Sequence, residues 1–428
     1  MNNNKYLFLL FSFLFLQNQL GAQIGVQLSN SPKISLGQWQ QPAYLASDDF
    51  KHLSIGVGGA YDLASSSLSL GNWPLNDDFL DEQEKADILN DLGNDNRFNI
   101  LAQGDLLINF RIRKKPYSIG FRQRSLAYAG FGGKDIMGLI LLGNAAYTGQ
   151  RISSEDVLLS IQSYSELSFG TASKQGNWTY GGRIKLLLGN NYQSLDLREF
   201  SLFTEELGTA IEVEANFDLD RKAGTGAGGF GAGVDLGASY QINEKLMAQA
   251  SLIDVGFVSW SVEKNQNIVN TRYEGLLIED IGNLDFSGEN SIFSSDSLER
   301  LFFPDTAEVN SSNYLPGFAQ LGLNYQLSTR SSLGLLLRYG FAQNSPMSDR
   351  LQLHGIFQHN INKWLKGGIH ASIGGFEGFD AGLMLAGNIG LNKEQDLQLF
   401  LQSDKLLGLL LPDSGKGQGL QAGIIFRY

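Results

Sequence analysis

Residues 233–242 have the sequence GVDLGASYQI, and residues 320–327 have the sequence QLGLNYQL. In both stretches, apolar side chains alternate with polar or small ones. Val234 and Leu236 fall on one side of the first stretch, and Asp235 falls on the other. Because consecutive side chains of a β-strand point to opposite faces, this period of two predicts strands with one apolar face. Strands of a membrane barrel alternate in this way, apolar toward lipid and polar toward the lumen.

The alternation recurs along most of the chain. It is present at residues 106–113, 117–124, 178–188, 333–341, 352–357, 365–374, 379–391 and 397–402. It also ends the chain, where Ile424 and Tyr428 lie opposite Gln421 and Arg427. The count favours about fourteen strands, since single-chain bacterial barrels have an even number. The sequence therefore predicts an all-β transmembrane antiparallel β-barrel, with an N-terminal plug-like segment and long extracellular loops.

A soluble β-sandwich or propeller would also give its strands one apolar face. Two features favour the membrane barrel over that alternative. Many of the strands are about ten residues long, which suits a tilted membrane strand better than the ~5–6 residues usual in soluble sheets. Aromatic residues also lie near strand ends, as at Trp178, Tyr240, Tyr325, Tyr339 and Trp364, where an interfacial girdle requires them.

The N-terminus predicts export. Lys5 precedes an apolar run at residues 6–16, and Leu-Gly-Ala at residues 20–22 offers a cleavage point. The run is too short for a membrane helix, which needs about 20 residues. The predicted organisation is a signal peptide at 1–22, an N-terminal plug or periplasmic segment at 23–50, and an outer-membrane β-barrel at 51–428. The expected location is the cell outer membrane, in contact with outer-membrane lipid.

Composition narrows the partners. The formal charge of −12 and the lack of a basic run argue against nucleic acid as a partner. The chain has no cysteine, so no disulfide holds the fold together.

Two motifs suggest cofactors, and both fail. Residues 224–229 satisfy G-x-G-x-x-G, but a strand follows where a dinucleotide site requires a helix. We expect these glycines to let a strand bend or to let the N-terminal segment pack closely. Residues 218–223 begin like a calcium loop, but Lys222 and Ala223 replace the oxygen ligand and the turn glycine. We expect no cofactor and no metal.

An enzyme is also disfavoured. The alternation of inward and outward side chains along a strand, here called parity, places His354 and His370 toward the lumen on adjacent strands. However, the sequence contains no G-x-S-x-G nucleophile motif. Isolated lumen histidines are more often wall residues than catalysts, so we expect no catalytic residues and no enzymatic activity.

The charged lumen residues are the candidate ligand-binding set. By parity they are Arg111, Arg113, Arg122, Arg124, Arg183, Lys185, Asp235 and Arg338, with Lys366 beside them. One interpretation is a cationic wall that attracts an anionic solute or a fatty-acid carboxylate. The other is that these residues pair with acids such as Asp105 and Asp235 and lock a plugged barrel, because lumen charges can pair with one another.

Several short sequence segments resemble those of a known protein superfamily. Gln41-Pro42-Ala43-Tyr44 resembles the Asn-Pro-Ala motif of the long-chain fatty acid transporter superfamily, and residues 229–237, 254–260 and 315–322 are similar to a Bacteroidota branch of it. That branch is similar also to PorV- and PorP-type barrels near type IX secretion and gliding. The resemblance implies an outer-membrane barrel with Pro42 and Ala43 as its plug motif. The terminal Tyr428 resembles the signal that the barrel-assembly machinery reads.

Two functions remain open. The first is passive transport or a channel for a small or hydrophobic ligand, driven by the ligand gradient. The alternative is a non-conducting scaffold whose acidic outer segments bind a secreted or gliding and type IX secretion-associated partner. Those segments are residues 77–92, predicted as a short helix, and residues 263–315, predicted as a large loop; a second short helix is predicted at 134–142.

Overall fold

A computed structural model describes residues 25–46, 52–73, 80–273, 307–341, 351–375 and 378–428. The predicted signal peptide at residues 1–22 lies outside these ranges. Sixteen strands form a single sheet. They are β1 (Leu53–Ser65), β2 (Asp95–Ile112), β3 (Lys115–Gly132), β4 (Arg151–Gln175), β5 (Trp178–Thr204), β6 (Ile211–Lys222), β7 (Gly229–Gln241), β8 (Leu246–Tyr273), β9 (Ala307–Tyr314), β10 (Phe318–Gln326), β11 (Ser331–Gly340), β12 (Leu351–Asn360), β13 (Leu365–Gly374), β14 (Gly378–Gly390), β15 (Asp396–Lys405) and β16 (Gly417–Arg427).

Short helices accompany the sheet. The α-helices are α1 (Val26–Ser29), α2 (Glu82–Asp91), α3 (Asp135–Leu142) and α4 (Leu406–Leu410). Single 3-10 turns lie at Ser35–Trp39, Pro42–Ala46, Leu70–Asn72 and Asn144–Tyr147. Among the described residues, no helix combines the length and apolar character needed to cross a bilayer.

The sheet closes on itself. The first strand pairs antiparallel with the last, from Ser54 opposite Arg427 to Ala64 opposite Gly417. On the far side of the ring, β8 pairs with β10. All the pairings between these strands are antiparallel, so the sheet is a closed antiparallel barrel, as predicted.

The ring contains fourteen strands, because two of them are each built from two segments. β6 and β7 both run antiparallel to β5, the first beside residues 193–204 and the second beside residues 178–189. β9 and β10 likewise follow one another along β8. The interruptions at residues 223–228 and 315–317 therefore divide two barrel strands, and the predicted count of about fourteen is confirmed.

The predicted alternation holds in three dimensions. On β10, Leu321 and Tyr325 face outward and are 60% and 43% exposed, whereas Gln320 faces inward and is 2% exposed. On the last strand, Ile424 faces outward and Gln421 inward. Since the outward residues are apolar, the outer face suits lipid hydrocarbon.

The two ends of the barrel differ. At one end, here called the turn end, short turns join the strands, as at Arg113–Lys114, where both residues have positive φ (49° and 68°) and the turn is of the hairpin type I′. The first barrel strand begins at the turn end and the last barrel strand finishes there. The hydrogen bond from Leu53 N–H to the carbonyl of Tyr428, at 2.9 Å, joins these two strand ends. The opposite end, here called the loop end, carries α2, α3 and α4.

The wall is much taller on one side than on the other. β4, β5 and β8 have 25, 27 and 28 residues, whereas about 9–11 are enough to cross a membrane. Their surplus residues lie at the loop end, where those of β4 pair with β5, those of β5 and β8 pair with β6, and those of β8 also pair with β9. The prediction of one large loop at residues 263–315 is therefore wrong at its two ends, because residues 263–273 and 307–314 are strand. These parts stand outside lipid, so polar residues occupy both of their faces and the alternation is absent.

Two predicted helices are present at the loop end. α2 begins with a capping box, in which the Asp81 carboxylate accepts from Glu84 N–H and the Glu84 carboxylate accepts from Asp81 N–H. α3 begins at Asp135. Both pack over an apolar cluster that includes Phe131 and Val157. The helix predicted at residues 77–92 begins at Glu82. Residues 77–79 lie outside the described ranges.

Asp91 ties α2 to the loop after β1. Its carboxylate accepts from Ser69 N–H at 3.1 Å, Ser69 Oγ at 2.9 Å and Asn72 Nδ2 at 2.9 Å. Burial raises the pKa of Asp91, but the hydrogen bonds from Ser69 and Asn72 outweigh it and leave the pKa below its usual value. A lowered pKa means that the attachment contributes stability above the unfolded-state value of about 3.9 and loses it as pH falls through the folded value.

We therefore expect hydrogen exchange at the Ser69 amide to accelerate as pH falls below about 4, after correction for intrinsic exchange. Asp91→Asn removes the titrating group. In this variant, the corrected exchange of the Ser69 amide should be fast at neutral pH and independent of pH. An exchange rate at Ser69 that stays constant from neutral to acid pH in the unsubstituted protein would contradict this assignment.

Candidate functional site

The N-terminal segment, residues 25–46, lies inside the barrel and is almost wholly buried. Its hydrogen bonds reach strands on different sides of the ring. Gly25 N–H donates to Asp404 Oδ2 on β15 at 2.7 Å, and the Tyr44 hydroxyl donates to Gln249 Oε1 on β8 at 2.6 Å. The segment therefore occupies the lumen and contacts the inner wall.

Apolar contacts support these hydrogen bonds. Leu28, Ile34, Leu36 and Trp39 of the segment form a buried cluster with inward-facing wall residues. Those wall residues are Leu107, Met384, Ala386, Phe400 and Ile425.

The predicted plug motif lies directly on the wall. The Pro42 carbonyl oxygen is 2.4 Å from where a Cβ on Gly181 would stand, and Gln41 Oε1 is 1.9 Å from a Cβ position on Gly237. Gly181 on β5 pairs with Gly237 on β7, so two facing glycines leave room for residues 41–43. The sequence suggested close packing of the N-terminal segment as one of two roles for residues 224–229, but residues 224–228 form the turn between β6 and β7 and Gly229 begins β7.

Trp39 connects the segment to the charged wall. Its ring lies between two guanidinium groups, with Arg122 Cζ 3.7 Å and Arg183 Cζ 4.1 Å from the ring centre. Behind it, a Cβ on Gly120 would be 2.5 Å from the indole ring. Cation–π contacts in a desolvated site contribute about 2 kcal/mol each at most in typical cases, so this stack is a strong point of attachment.

Five of the predicted lumen residues come together in one buried charge cluster. Its members are Arg122, Arg124, Arg183, Lys185, Asp105, Glu166, Asp235 and Asp254. All eight side chains are at most 8% exposed. Four are cationic and four are anionic, so the cluster as a whole is formally neutral.

Lys185 is the centre of the charge cluster. Its ammonium lies 2.7 Å from Asp235 Oδ1 and 3.6 Å from Glu166 Oε1, and it also donates to Asp254. The other Asp254 oxygen accepts from Arg124 at 2.6 Å. Each cation therefore has a carboxylate partner, which favours the interpretation of charges that lock the barrel over that of a free cationic wall.

Asp254 reaches the cluster through a β-bulge. The pairing of β7 with β8 shifts between Val234 and Leu236, and Asp254 has a φ of 58°. The bulge turns both Ile253 and Asp254 inward, and Asp254 N–H donates to Asp235 Oδ1 at 2.8 Å. Strict parity cannot place such a residue, although the break in alternation at residues 252–255 was visible in the sequence.

Arg113 and Arg111 do not join the cluster. Arg113 lies in the exposed turn after β2, which corrects its assignment as a lumen residue, because the alternation stops where β2 ends at Ile112. Arg111 keeps the inward parity of Asn109 but is half-buried at the turn end, where its guanidinium donates to the Lys114 carbonyl at 3.4 Å.

Arg338 is buried at a separate place and contacts α1. Its Nη2 donates to Ser29 Oγ and to Gln320 Oε1, both at 3.2 Å, and its Cζ lies 4.5 Å from the centre of the Phe318 ring. It therefore positions the start of the N-terminal segment at β11, two strands along the ring from β8 of the charge cluster.

The two lumen histidines lie close together, with ring centres 6.3 Å apart. His354 Nδ1 lies 2.7 Å from Ser372 Oγ, but its Nε2 has no hydrogen-bond partner among the described residues. A serine hydrolase needs a carboxylate to orient its histidine, so this pair is not a catalytic triad. Within the part of the chain that the structure describes, no His, Cys, Asp and Glu group is arranged to hold a metal.

A second cluster, apolar, lies on the loop-end side of the charges. It contains Ala60, Leu101, Leu126, Tyr164, Leu187, Tyr192, Val258, Trp260, Val262 and Leu315. Tyr192 stacks on Trp260 at 5.2 Å between ring centres. The two clusters meet where Arg124 donates to the Tyr164 hydroxyl at 3.4 Å. We call this set the lumen apolar cluster.

These features define a transmembrane β-barrel whose lumen contains its own N-terminal segment. The model of a family of unknown function, DUF5723, matches residues 42–404, and the chain belongs to that family. No curated protein matches the sequence.

Several solved barrel structures align with this chain over most of its length. The toluene transporter TbuX of Ralstonia pickettii is 10% identical, with a TM-score of 0.47 over 92% of this chain and 93% of that one. The toluene transporter TodX of Pseudomonas putida is 10% identical, with a TM-score of 0.43 over 95% and 97%. A FadL homologue of Pseudomonas aeruginosa is 11% identical, with a TM-score of 0.42 over 91% and 92%. The assignment of the fold rests on the chain's own strand pairing.

The contact of residues 41–43 with the wall can be tested at Gly181. Gly181→Val should displace the segment, because even its Cβ would overlap the Pro42 carbonyl. We expect faster proteolysis within residues 25–46 and higher ion conductance in planar bilayers. Gly104→Val is the matched control, since it faces outward with no atom within 4 Å of the added Cβ. Equal conductance of the two variants would contradict the assigned contact.

The charge cluster can be tested at Asp235. Asp235→Asn leaves an unbalanced buried cation, so we expect the free energy of unfolding to fall by about 3–5 kcal/mol. Urea titration of the barrel in lipid vesicles, followed by tryptophan fluorescence, measures this change.

Two further variants serve as comparisons for Asp235→Asn. Arg198→Met breaks an exposed pair with Asp218 at 2.5 Å and should change stability by less than about 1 kcal/mol. Adding Lys185→Met to Asp235→Asn restores neutrality and should recover part of the loss. If Asp235→Asn costs no more than Arg198→Met, the charge cluster does not stabilise the barrel.

Proposed function

We propose that this protein is a passive outer-membrane transporter for a small hydrophobic or amphipathic molecule. The observation that carries the proposal is the lumen apolar cluster. The interior of a membrane barrel is ordinarily polar, yet here ten buried apolar residues from six strands and the loop before β10 face inward together. Tyr192 and Trp260 are 4% and 0% exposed, so a hydrophobic molecule would bind this aromatic pair only when the cluster opens.

The charges favour a hydrophobic ligand over an anionic one. A cationic wall would attract anions, but each cation of the charge cluster lies beside a carboxylate, and the cluster sums to zero. Its field therefore falls off quickly and offers little attraction to a carboxylate solute. The apolar part of the wall keeps its attraction for a hydrophobic molecule, because that attraction does not depend on charge.

Transport requires the N-terminal segment to shift, because it crosses the lumen from Asp404 at the loop end of β15 to Gly181 near the turn end of β5. The hydrogen bonds from Gly25 and Tyr44 and the Trp39 stack hold it in place. The energy would come from the ligand gradient alone. The resemblance to the long-chain fatty acid transporter superfamily supports this candidate, and the closing of the barrel by Tyr428 supports assembly through the machinery that reads terminal aromatics.

One observation favours a second candidate, a scaffold. β4, β5 and β8 rise far beyond the height that crosses a membrane, and transport does not need this extension. One side carries paired charges, such as Arg151 with Glu212 at 2.7 Å. In this candidate the extension binds a secreted or surface protein, in line with the similarity to PorV- and PorP-type barrels of Bacteroidota.

Uptake by proteoliposomes distinguishes the two candidates. We expect the protein to speed the entry of the fluorescent hydrophobic probe N-phenyl-1-naphthylamine above the rate of protein-free liposomes. Trp260→Gln makes the inner surface polar and should slow the protein-dependent entry about tenfold, equivalent to about 1.4 kcal/mol of lost apolar contact. Trp178→Gln, the same substitution on an outward aromatic that is 49% exposed, should have little effect. Entry no faster than in empty liposomes would exclude transport of this probe class and leave the scaffold.

A further inference from the structure

The low side of the barrel has an irregularity at its rim. β12, β13 and β15 have only ten residues each, about the number that crosses a membrane. At this rim, the pairing of β15 with β16 shifts after Gln402, and β15 pairs with β14 only as far as Ser403. Asp404 and Lys405 thus continue beyond the regular ladder, immediately before α4.

A small, mostly enclosed cavity of about 10 Å³ lies at this point, with room for one group about the size of a water molecule. Its lining joins two surfaces of the protein. Phe379 is an outward-facing residue, 57% exposed, whereas Asp404 and Lys405 face the interior. Val26 of the N-terminal segment forms its inner limit. The cavity therefore connects the outer face of the rim with the start of the segment inside the lumen.

Two buried acceptors in this cavity lack partners. Gln352 is 5% exposed and Asp404 is 7% exposed, and both line the cavity. Gln352 Oε1 and Asp404 Oδ1 have no hydrogen-bond partner among the described residues, and Asp404 Oδ1 lies 3.9 Å from His370 Nε2. The other Asp404 oxygen is used by Gly25 N–H at 2.7 Å. Because a buried acceptor left without a donor is costly, the cavity favours a ligand that donates hydrogen bonds.

The charges of the lining point the same way. Two carboxylates, Asp380 and Asp404, line the cavity with one ammonium, Lys405. That ammonium is 2.6 Å from a third carboxylate, Asp62. Among the lining residues, carboxylates therefore outnumber ammonium groups, which suits a neutral or cationic group better than a carboxylate.

Apolar side chains surround the mouth. α4 is joined to the cavity wall, because Leu407 N–H donates to Asp380 Oδ1 at 3.3 Å. Beyond it Leu410 and Leu411 are 66% and 57% exposed. With Phe379, they provide a surface for a hydrocarbon chain beside a polar cavity.

We propose that this rim cavity is an entry site for an amphipathic molecule with a hydrogen-bond-donating head, a hydroxyl or an ammonium, on a hydrocarbon chain. The head contacts Gln352 Oε1 and Asp404 Oδ1, and the chain lies on Phe379 and α4. The inference deepens the proposed transport and rests on it for the onward path of the ligand. It also excludes fatty acids as the preferred ligand, since their heads are acceptors and anionic.

Binding can be measured directly because the chain contains no cysteine. A fluorophore on Ile373→Cys, which faces outward and pairs with Phe379, reports occupancy in the full-length protein in nanodiscs. The probes are dodecylammonium, dodecanol and laurate, which share one chain length and differ in the head. We expect dodecylammonium and dodecanol to bind at least tenfold more tightly than laurate. A label on Ile184→Cys, outward-facing on the tall side and 66% exposed, should report only membrane partitioning.

Two variants separate the head contact from the chain contact. Gln352→Leu removes an acceptor and should weaken dodecanol binding at least fivefold while leaving laurate unchanged. Leu410→Ser alters only an exposed side chain and should weaken all three probes. Laurate binding as tightly as dodecylammonium, or a Gln352→Leu variant that binds dodecanol normally, would overturn the proposal. Rim binding without probe uptake would refute transport alone, and uptake without rim binding would refute this entry site alone.

Discussion

The closed ring of hydrogen bonds is the constraint on which everything else depends. In hydrocarbon, an unpaired backbone N–H or carbonyl has no water to bind, so a membrane sheet must have no edge. The pairing of β1 with β16 removes the last edge, and Leu53 and Tyr428 complete it at the turn end. Once the ring is closed, each side chain must face either lipid or lumen. The alternating sequence follows from that division, and so does the location of every charge discussed here.

A closed barrel of fourteen strands encloses more space than its wall side chains can fill. The protein fills much of the lumen with its own residues 25–46 and balances the buried charges of the wall beside them. Trp39 stands between two arginines, and the arginines in turn bind carboxylates. A neutral charge cluster costs less to bury than unpaired charges would. It also leaves the apolar part of the lumen as the surface best suited to a ligand.

The uneven height of the wall divides the loop end into two regions with different chemistry. On the tall side, the upper parts of β4 to β9 extend beyond the height that crosses a membrane and carry charged residues on their surface. The low side, β12 to β15, is shorter, and α4 exposes leucines there. In the proposed function, a hydrophobic molecule enters at the low side. The same asymmetry therefore supports entry at one rim and protein binding at the other.

The sequence by itself determined the architecture, because a period of two is a local property that survives without knowledge of neighbours. It predicted the strand number and the inward direction of Arg122, Lys185 and Arg338. It could not predict that Arg113 falls in a turn or that a bulge brings Asp254 beside Lys185, since parity holds only while a strand stays regular. Partners such as Gly181 and Gly237 are likewise decided by register across the ring. Only the closed tertiary structure fixes that register, because it brings together residues far apart in the chain.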